Sequence, residues 1–280
     1  MIGSNRKPTW NGIWACRRSC KFRPFAKWIC AARRRRKRQR KRVNNHVQPT
    51  NQFSVSNTRP IITDLNPLSP ISEAYRTLRT NLQYAGVDRS LQLLMVTSAS
   101  PREGKTTTIN NLAAAYAQAD KSVLLIDADL RKPTAHQTFQ LSNRCGLTHV
   151  LAGNASAREA VKETHIRNLS VMPSGSIPPN PSELLASRKM DLLLDELRQM
   201  FDLVLIDTPP VLAVSDAQIM ASRCDGVLLV INAKSVKRQH ALKARDALHF
   251  VQAKIVGVAM NQTAASELNG YYSYMQASAE

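Results

Sequence analysis

Leu91-Gln-Leu-Leu-Met-Val-Thr97-Ser-Ala99-Ser-Pro-Arg-Glu-Gly-Lys-Thr106 decides the fold. The apolar run Leu91–Thr97 has the length and composition of a buried strand. Residues 99–106 then bring Gly-Lys-Thr, and Thr106–Gln118 carries alanines at helical spacing. A strand that passes through such a loop into a helix aims backbone N–H groups and the positive helix end at one point, which suits a polyphosphate. Lys105 can bridge the β- and γ-phosphates, the Thr106 hydroxyl can ligate Mg²⁺, and Gly104 lets the backbone approach closely. Ser100, Pro101, Arg102, Glu103 and Thr107 complete the loop.

Working outward, strands and helices alternate. Ser122–Ile126, Leu169–Met172, Leu203–Ile206, Val227–Ile231 and Ile255–Ala259 are apolar runs of strand length, interleaved with helical stretches such as Ser182–Met200 and Val236–Gln252. Strands apolar on both faces and separated by helices predict an α/β fold whose mostly parallel central sheet is covered on both sides. Ligands of such sheets bind at the carboxyl ends of the strands. Two further runs end there in acid: Val-Leu-Leu-Ile-Asp127-Ala-Asp129-Leu-Arg131, and Val-Leu-Ile-Asp207-Thr-Pro-Pro. A lone aspartate at a strand end is ordinarily a helix cap. Three of them beside a phosphate loop are instead suited to holding Mg²⁺ and its waters, or to accepting the proton of an attacking group.

Before the first core strand, Ile71, Ala74, Tyr75, Leu78 and Leu82 recur at helical spacing, and Ser69 or Ser72 can cap the start, predicting a helix over 70–84. Glu73, Arg76 and Arg79 stand three apart along one of its sides.

The net charge of +19 looks like that of a nucleic-acid binder, but it is unevenly spread. Residues 1–60 hold 17 Lys and Arg and no acid, whereas the other 220 residues hold 22 basic and 20 acidic side chains. The globular part is nearly neutral, which argues against specific nucleic-acid binding. The basic segment, with its run Arg33–Arg42 and all three tryptophans, reads as a disordered extension able to contact anionic lipid. A start codon assigned too far upstream is the alternative, because the segment resembles nothing that follows. Cys16, Cys20 and Cys30 with His46 match zinc spacing poorly, and the five cysteines suggest no disulfide framework. A run of about 18 apolar residues is lacking, and the start has no apolar signal core, so the expected compartment is the cytoplasm.

Asp127-x-Asp129-x-Arg131 together with the two nucleotide motifs resembles the bacterial tyrosine kinases of capsular and exopolysaccharide biosynthesis, relatives of the MinD/ParA ATPases. The match runs over about residues 64–275. It implies a P-loop NTPase fold of MinD/ParA type and phosphoryl transfer from ATP with Mg²⁺. Residues 61–262 form the kinase domain, which follows the basic extension 1–60 and precedes the tail 263–280. By the resemblance, Lys105 and the loop amides hold the phosphates, and Thr106, Asp127 and Asp207 stand at the metal. Asp127 also orients or deprotonates the incoming tyrosine, with Asp129 and Arg131 in support, and Asn261 reads adenine. Glu73, Arg76 and Arg79 look like the family's subunit-interface motif, and Tyr271, Tyr272 and Tyr274 like its C-terminal tyrosine cluster. In the family one subunit phosphorylates its neighbour's tail within a ring. A membrane-embedded polysaccharide co-polymerase activates it at the inner face of the plasma membrane, and a tyrosine phosphatase is the expected antagonist. Arg102 stands where the family often has glycine, and the tyrosine cluster is short. The alternative, a MinD/ParA-like positioning or partitioning ATPase, expects an early lysine in the loop where this chain has Ser100.

Overall fold

The computed structural model describes residues 60–85 and 91–263. The basic extension and the tyrosine cluster expected at the two ends lie outside the described residues. Among the described residues seven strands form one sheet: β1 (Leu93–Ser98), β2 (Val123–Asp127), β3 (Lys162–Glu163), β4 (Leu169–Met172), β5 (Leu203–Asp207), β6 (Gly226–Asn232) and β7 (Ile255–Asn261), in the spatial order β3-β4-β2-β5-β1-β6-β7. All pairings are parallel except β3 with β4. The helices are α1 (Ile62–Leu65), α2 (Pro70–Ala85), α3 (Lys105–Ala117), α4 (Ala135–Thr138) and α5 (Leu147–Ala152), followed by α6 (Ala157–Ala160), α7 (Pro181–Ala186), α8 (Arg188–Met200), α9 (Asp216–Ala221) and α10 (Arg238–Phe250).

Alternation along each strand divides the core in two. Leu93 and Met95 of β1, with Val204 and Ile206 of β5, face a cluster closed by Leu185, Met190, Leu193, Leu197, Met220 and Leu248 from α7 to α10. Leu94 and Val96, with Leu203 and Leu205, face the opposite cluster, built from Leu82 of α2 and Ile109, Leu112, Ala113 and Tyr116 of α3. Both faces are therefore dry, as a parallel sheet requires. Burying each large aliphatic side chain contributes about 1.5–3 kcal/mol relative to leaving it exposed, so α8 contributes substantially to one face through Met190, Leu193, Leu194 and Leu197.

Two features differ from the sequence expectation. The stretch 182–200 is two helices, because Ser187 takes extended angles (φ −69°, ψ 152°) between α7 and α8. The strand β3 was not expected, being two polar residues held on the sheet by Val171 and Ser170 of β4. The start of α2 follows expectation: Ser69 accepts the amide of Ser72 at 3.1 Å, satisfying one otherwise orphaned N–H.

Candidate active site

The carboxyl ends of β1, β2 and β5, neighbours in the sheet, bring the motif residues together. Lys105 opens α3 directly after Gly104, which adopts φ +95°. Its ammonium lies 3.1 Å from Asp129 Oδ2, 3.3 Å from Asp207 Oδ1 and 3.1 Å from the Thr106 hydroxyl. Thr106 in turn donates to Asp207 Oδ2 at 2.7 Å. Burial works against the Lys105 charge, but Asp207 and Asp129 outweigh it and hold the pKa above its usual value.

Asp127 is fully buried. Its Oδ2 accepts the amides of Thr134 and Ala135, both at 2.9 Å, and its Oδ1 accepts the Asp129 amide at 3.3 Å. Burial first, and then the neighbouring Asp207 charge, push its pKa up to about 7, with the amides and Lys105 acting in the opposite direction. Asp207 is also raised by burial, against the pull of Lys105 and Thr106. A protonatable carboxyl, a firmly charged ammonium and a hydroxyl–carboxylate pair thus share one rim.

The loop itself is braced from within. Glu103 is buried and its carboxylate accepts the Ser100 and Asn232 amides, tying the loop to the end of β6. Burial raises its pKa. Arg102 takes φ +66° and projects into solvent. That left-handed conformation is the one glycine adopts most easily, which explains why glycine suits this position. Pro101 is exposed, and Ser100 and Thr107 are half-buried.

Other expected residues sit differently from their motif neighbours. Arg131 turns to a buried partner that sequence reasoning missed: it forms a bidentate pair with Asp216, Nε to Oδ2 at 2.9 Å and Nη2 to Oδ1 at 3.1 Å. The available signal was a single charged residue in the mostly apolar stretch Val211–Met220, since a buried acid calls for a partner. The Asn261 amide, at the end of β7, donates to the Glu103 carbonyl at 3.0 Å. On α2, Arg76 pairs with Glu73 at 2.9 Å and Arg79 donates to the Ala115 carbonyl of α3 at 2.8 Å. No helix among the described residues is long and apolar enough to cross a membrane.

Comparison with known proteins agrees with this geometry. Residues 102–255 match a family model described as an AAA domain, which carries nucleotide binding with it. The tyrosine-protein kinase YwqD of Bacillus subtilis is 47% identical over 216 residues, covering 77% of this chain and 91% of that protein. The chain belongs to the bacterial tyrosine-protein kinases. The solved kinase domain of the Escherichia coli tyrosine kinase ETK superposes with a TM-score of 0.71 at 35% identity, over 80% of this chain and 85% of that one. In full-length etk the matching 207 residues are 28% of the protein. The cell-division ATPase MinD of Pyrococcus furiosus is more distant, with a TM-score of 0.53 and 26% identity over 60% of this chain and 70% of that one. It shares the nucleotide-binding architecture with the tyrosine-protein kinases, whereas the stronger likeness favours the kinase over the positioning ATPase.

Proposed function

We propose that this tyrosine-protein kinase uses ATP with Mg²⁺ to phosphorylate Tyr271, Tyr272 and Tyr274 on the tail of a neighbouring copy. The observation that carries the reading is the meeting of Lys105, Thr106, Asp129 and Asp207 within 3.3 Å contacts at the sheet's carboxyl rim, beside the buried Asp127. Lys105 leaves its carboxylates to meet the β- and γ-phosphates, and the loop amides cradle them. Thr106 and Asp207 supply hard oxygens suited to Mg²⁺, with Asp127 and Asp129 behind them. Among the described residues no group of three or more His, Cys, Asp or Glu forms a ready-made metal cage. That suits an ion held by one or two carboxylates together with substrate phosphates. When bound, Mg²⁺ neutralises charge developing on the transferred phosphoryl group.

Asp127 receives the tyrosine proton. Burial and the neighbouring Asp207 raise its affinity for a proton, the direction a general base requires. Asn261 reads the adenine, and Arg131 supports the carboxylate loop. Glu73, Arg76 and Arg79 on α2 hold the copies in a ring. Each new phosphotyrosine adds close to two negative charges to a short tail, which favours release of the ring.

The reaction regulates synthesis and export of a capsular or extracellular polysaccharide, with a tyrosine phosphatase resetting the tail. By likeness to its family, we assign it a membrane-embedded polysaccharide co-polymerase as activator. The basic extension adds contact with anionic lipid at the cytoplasmic face, at about 1 kcal/mol for each Lys or Arg near the surface. The test is incubation with Mg²⁺-ATP and mapping of phosphate by mass spectrometry, with Lys105→Met as control. Phosphotyrosine in the tail of the wild type alone supports the reading. Steady ATP hydrolysis without phosphotyrosine overturns it.

A further inference from the structure

Between Asp129, which faces Lys105, and Thr134–Ala135, whose amides hold Asp127, the chain makes one strong side-chain contact with the opposite wall of the site. Arg131 grips Asp216 in a bidentate pair, and Asp216 is fully buried. The Ser182 hydroxyl donates to Asp216 Oδ1 at 2.6 Å and accepts Arg131 Nη2 at 3.2 Å, while Ser215 donates to Ser182 at 3.3 Å. Burial pushes the Asp216 carboxyl up, but Arg131 and Ser182 outweigh it and leave it below the usual carboxylate range. Asp216 opens α9 and Ser182 lies in α7, so three segments remote in sequence meet on one carboxylate.

The other end of each segment leads back to the chemistry. The stretch between Asp207 and Asp216 is stitched to β1: Thr97 donates to the Pro209 carbonyl at 2.9 Å and the Val211 amide to the Ser98 carbonyl at 2.9 Å. Asp216 is thereby anchored to the strand that feeds the phosphate loop. Through Arg131 that anchor reaches the loop carrying Asp129 and the amides of Asp127.

We infer that Asp216 and Ser182 are positioning residues for phosphoryl transfer. They act through Arg131, fixing the 128–135 loop so that Asp127 and Asp129 keep their places against Lys105 and Asp207. Arg131 does its work on Asp216 and Ser182. A clamp of this kind sets the catalytic step and leaves nucleotide binding, which rests on residues 99–107, nearly untouched. Small displacements of reacting groups are costly in rate even when binding survives.

The inference rests on the kinase reading, so its test carries one readout that is independent of activity. In the full chain, Asp216→Asn, Ser182→Ala and Arg131→Ala are each measured for kcat of tail phosphorylation, for ATP dissociation constant and for amide hydrogen exchange. The expected result for Asp216→Asn is a kcat at least about tenfold lower, an ATP affinity within about threefold of wild type, and a double variant with Arg131→Ala no worse than either single. Exchange at residues 128–135 accelerates while β1 and β5 stay protected, and Ser182→Thr, which keeps the hydroxyl, restores what Ser182→Ala loses. Unchanged exchange at 128–135, kcat and affinity falling together, or additive losses would each overturn the clamp. Absence of tyrosine phosphorylation in the wild type would instead sink the kinase reading. The exchange pattern would still decide whether Asp216 fixes the loop.

Discussion

Gly104→Ala is the substitution whose cost the structure sets most directly. A Cβ built on Gly104 would lie 1.9 Å from the Asn261 Nδ2, and the residue holds φ +95°. Two costs follow. Holding an L-residue in the left-handed region costs about 1–2 kcal/mol. Displacing the Asn261 amide breaks its 3.0 Å bond to the Glu103 carbonyl, worth about 1 kcal/mol. The sum is about 2–3 kcal/mol, or a melting temperature lower by roughly 4–12 °C at about 2–4 °C per kcal/mol for a domain of this size. Asn261→Ala alone loses the bond without the strain and costs about 1 kcal/mol. The double variant therefore falls short of the sum of the singles by about 1 kcal/mol, because both singles forfeit the same bond. All three tryptophans lie in residues 1–60, so urea unfolding is followed by far-ultraviolet circular dichroism rather than by tryptophan emission. Strictly additive losses, or a Gly104→Ala cost below about 0.5 kcal/mol, would refute the contact between β7 and the phosphate loop.

Asp127→Asn is expected to abolish transfer and yet stabilise the fold at alkaline pH. The native carboxyl titrates near 7, so between the ordinary carboxylate range and pH 7 the folded state keeps a proton that the unfolded chain has released. Stability from this group is fully present below the unfolded value and is lost as pH rises through about 7. Melting temperatures between pH 5 and 8 should fall less steeply in the variant, which gains at pH 8 roughly 2–4 °C per kcal/mol relieved; parallel curves would contradict the burial argument. Arg102→Gly should leave stability within about 1 kcal/mol of wild type, because relief of the left-handed strain offsets the entropy that glycine adds to the unfolded chain. A large loss on denaturant unfolding would show that the arginine holds the loop.

The parts of the fold legible in the sequence are those whose burial is symmetrical. Met95, Val96, Leu124, Leu125, Leu205 and Ile206 are buried on both faces of the sheet and stand out as unbroken apolar runs. The strand β3 carries no such pattern, since Lys162 and Glu163 owe their place to β4 alone. The break at Ser187 is equally silent, because serine is an ordinary helix-start residue and the apolar spacing runs on through it. In the site, Lys105, Thr106, Asp127, Asp129 and Asp207 were legible as strand-end and loop residues. What remained hidden were contacts across long separations. Arg131 meets Asp216 from 85 residues away, and Asn261 meets Glu103 from 158. Local pattern carries no record of either pairing.

The most direct test of the central claim mixes two variants in the presence of Mg²⁺-ATP. One is Lys105→Met, unable to hold the phosphates but with its tail intact. The other has a working site and a tail in which Tyr271, Tyr272 and Tyr274 are all phenylalanine. Mass spectrometry then reads which chain carries phosphate. The account predicts phosphotyrosine on the Lys105→Met chain, and none when either variant is incubated alone. An unmodified Lys105→Met tail in the mixture, alongside robust phosphorylation of the wild type by itself, would contradict transfer between copies.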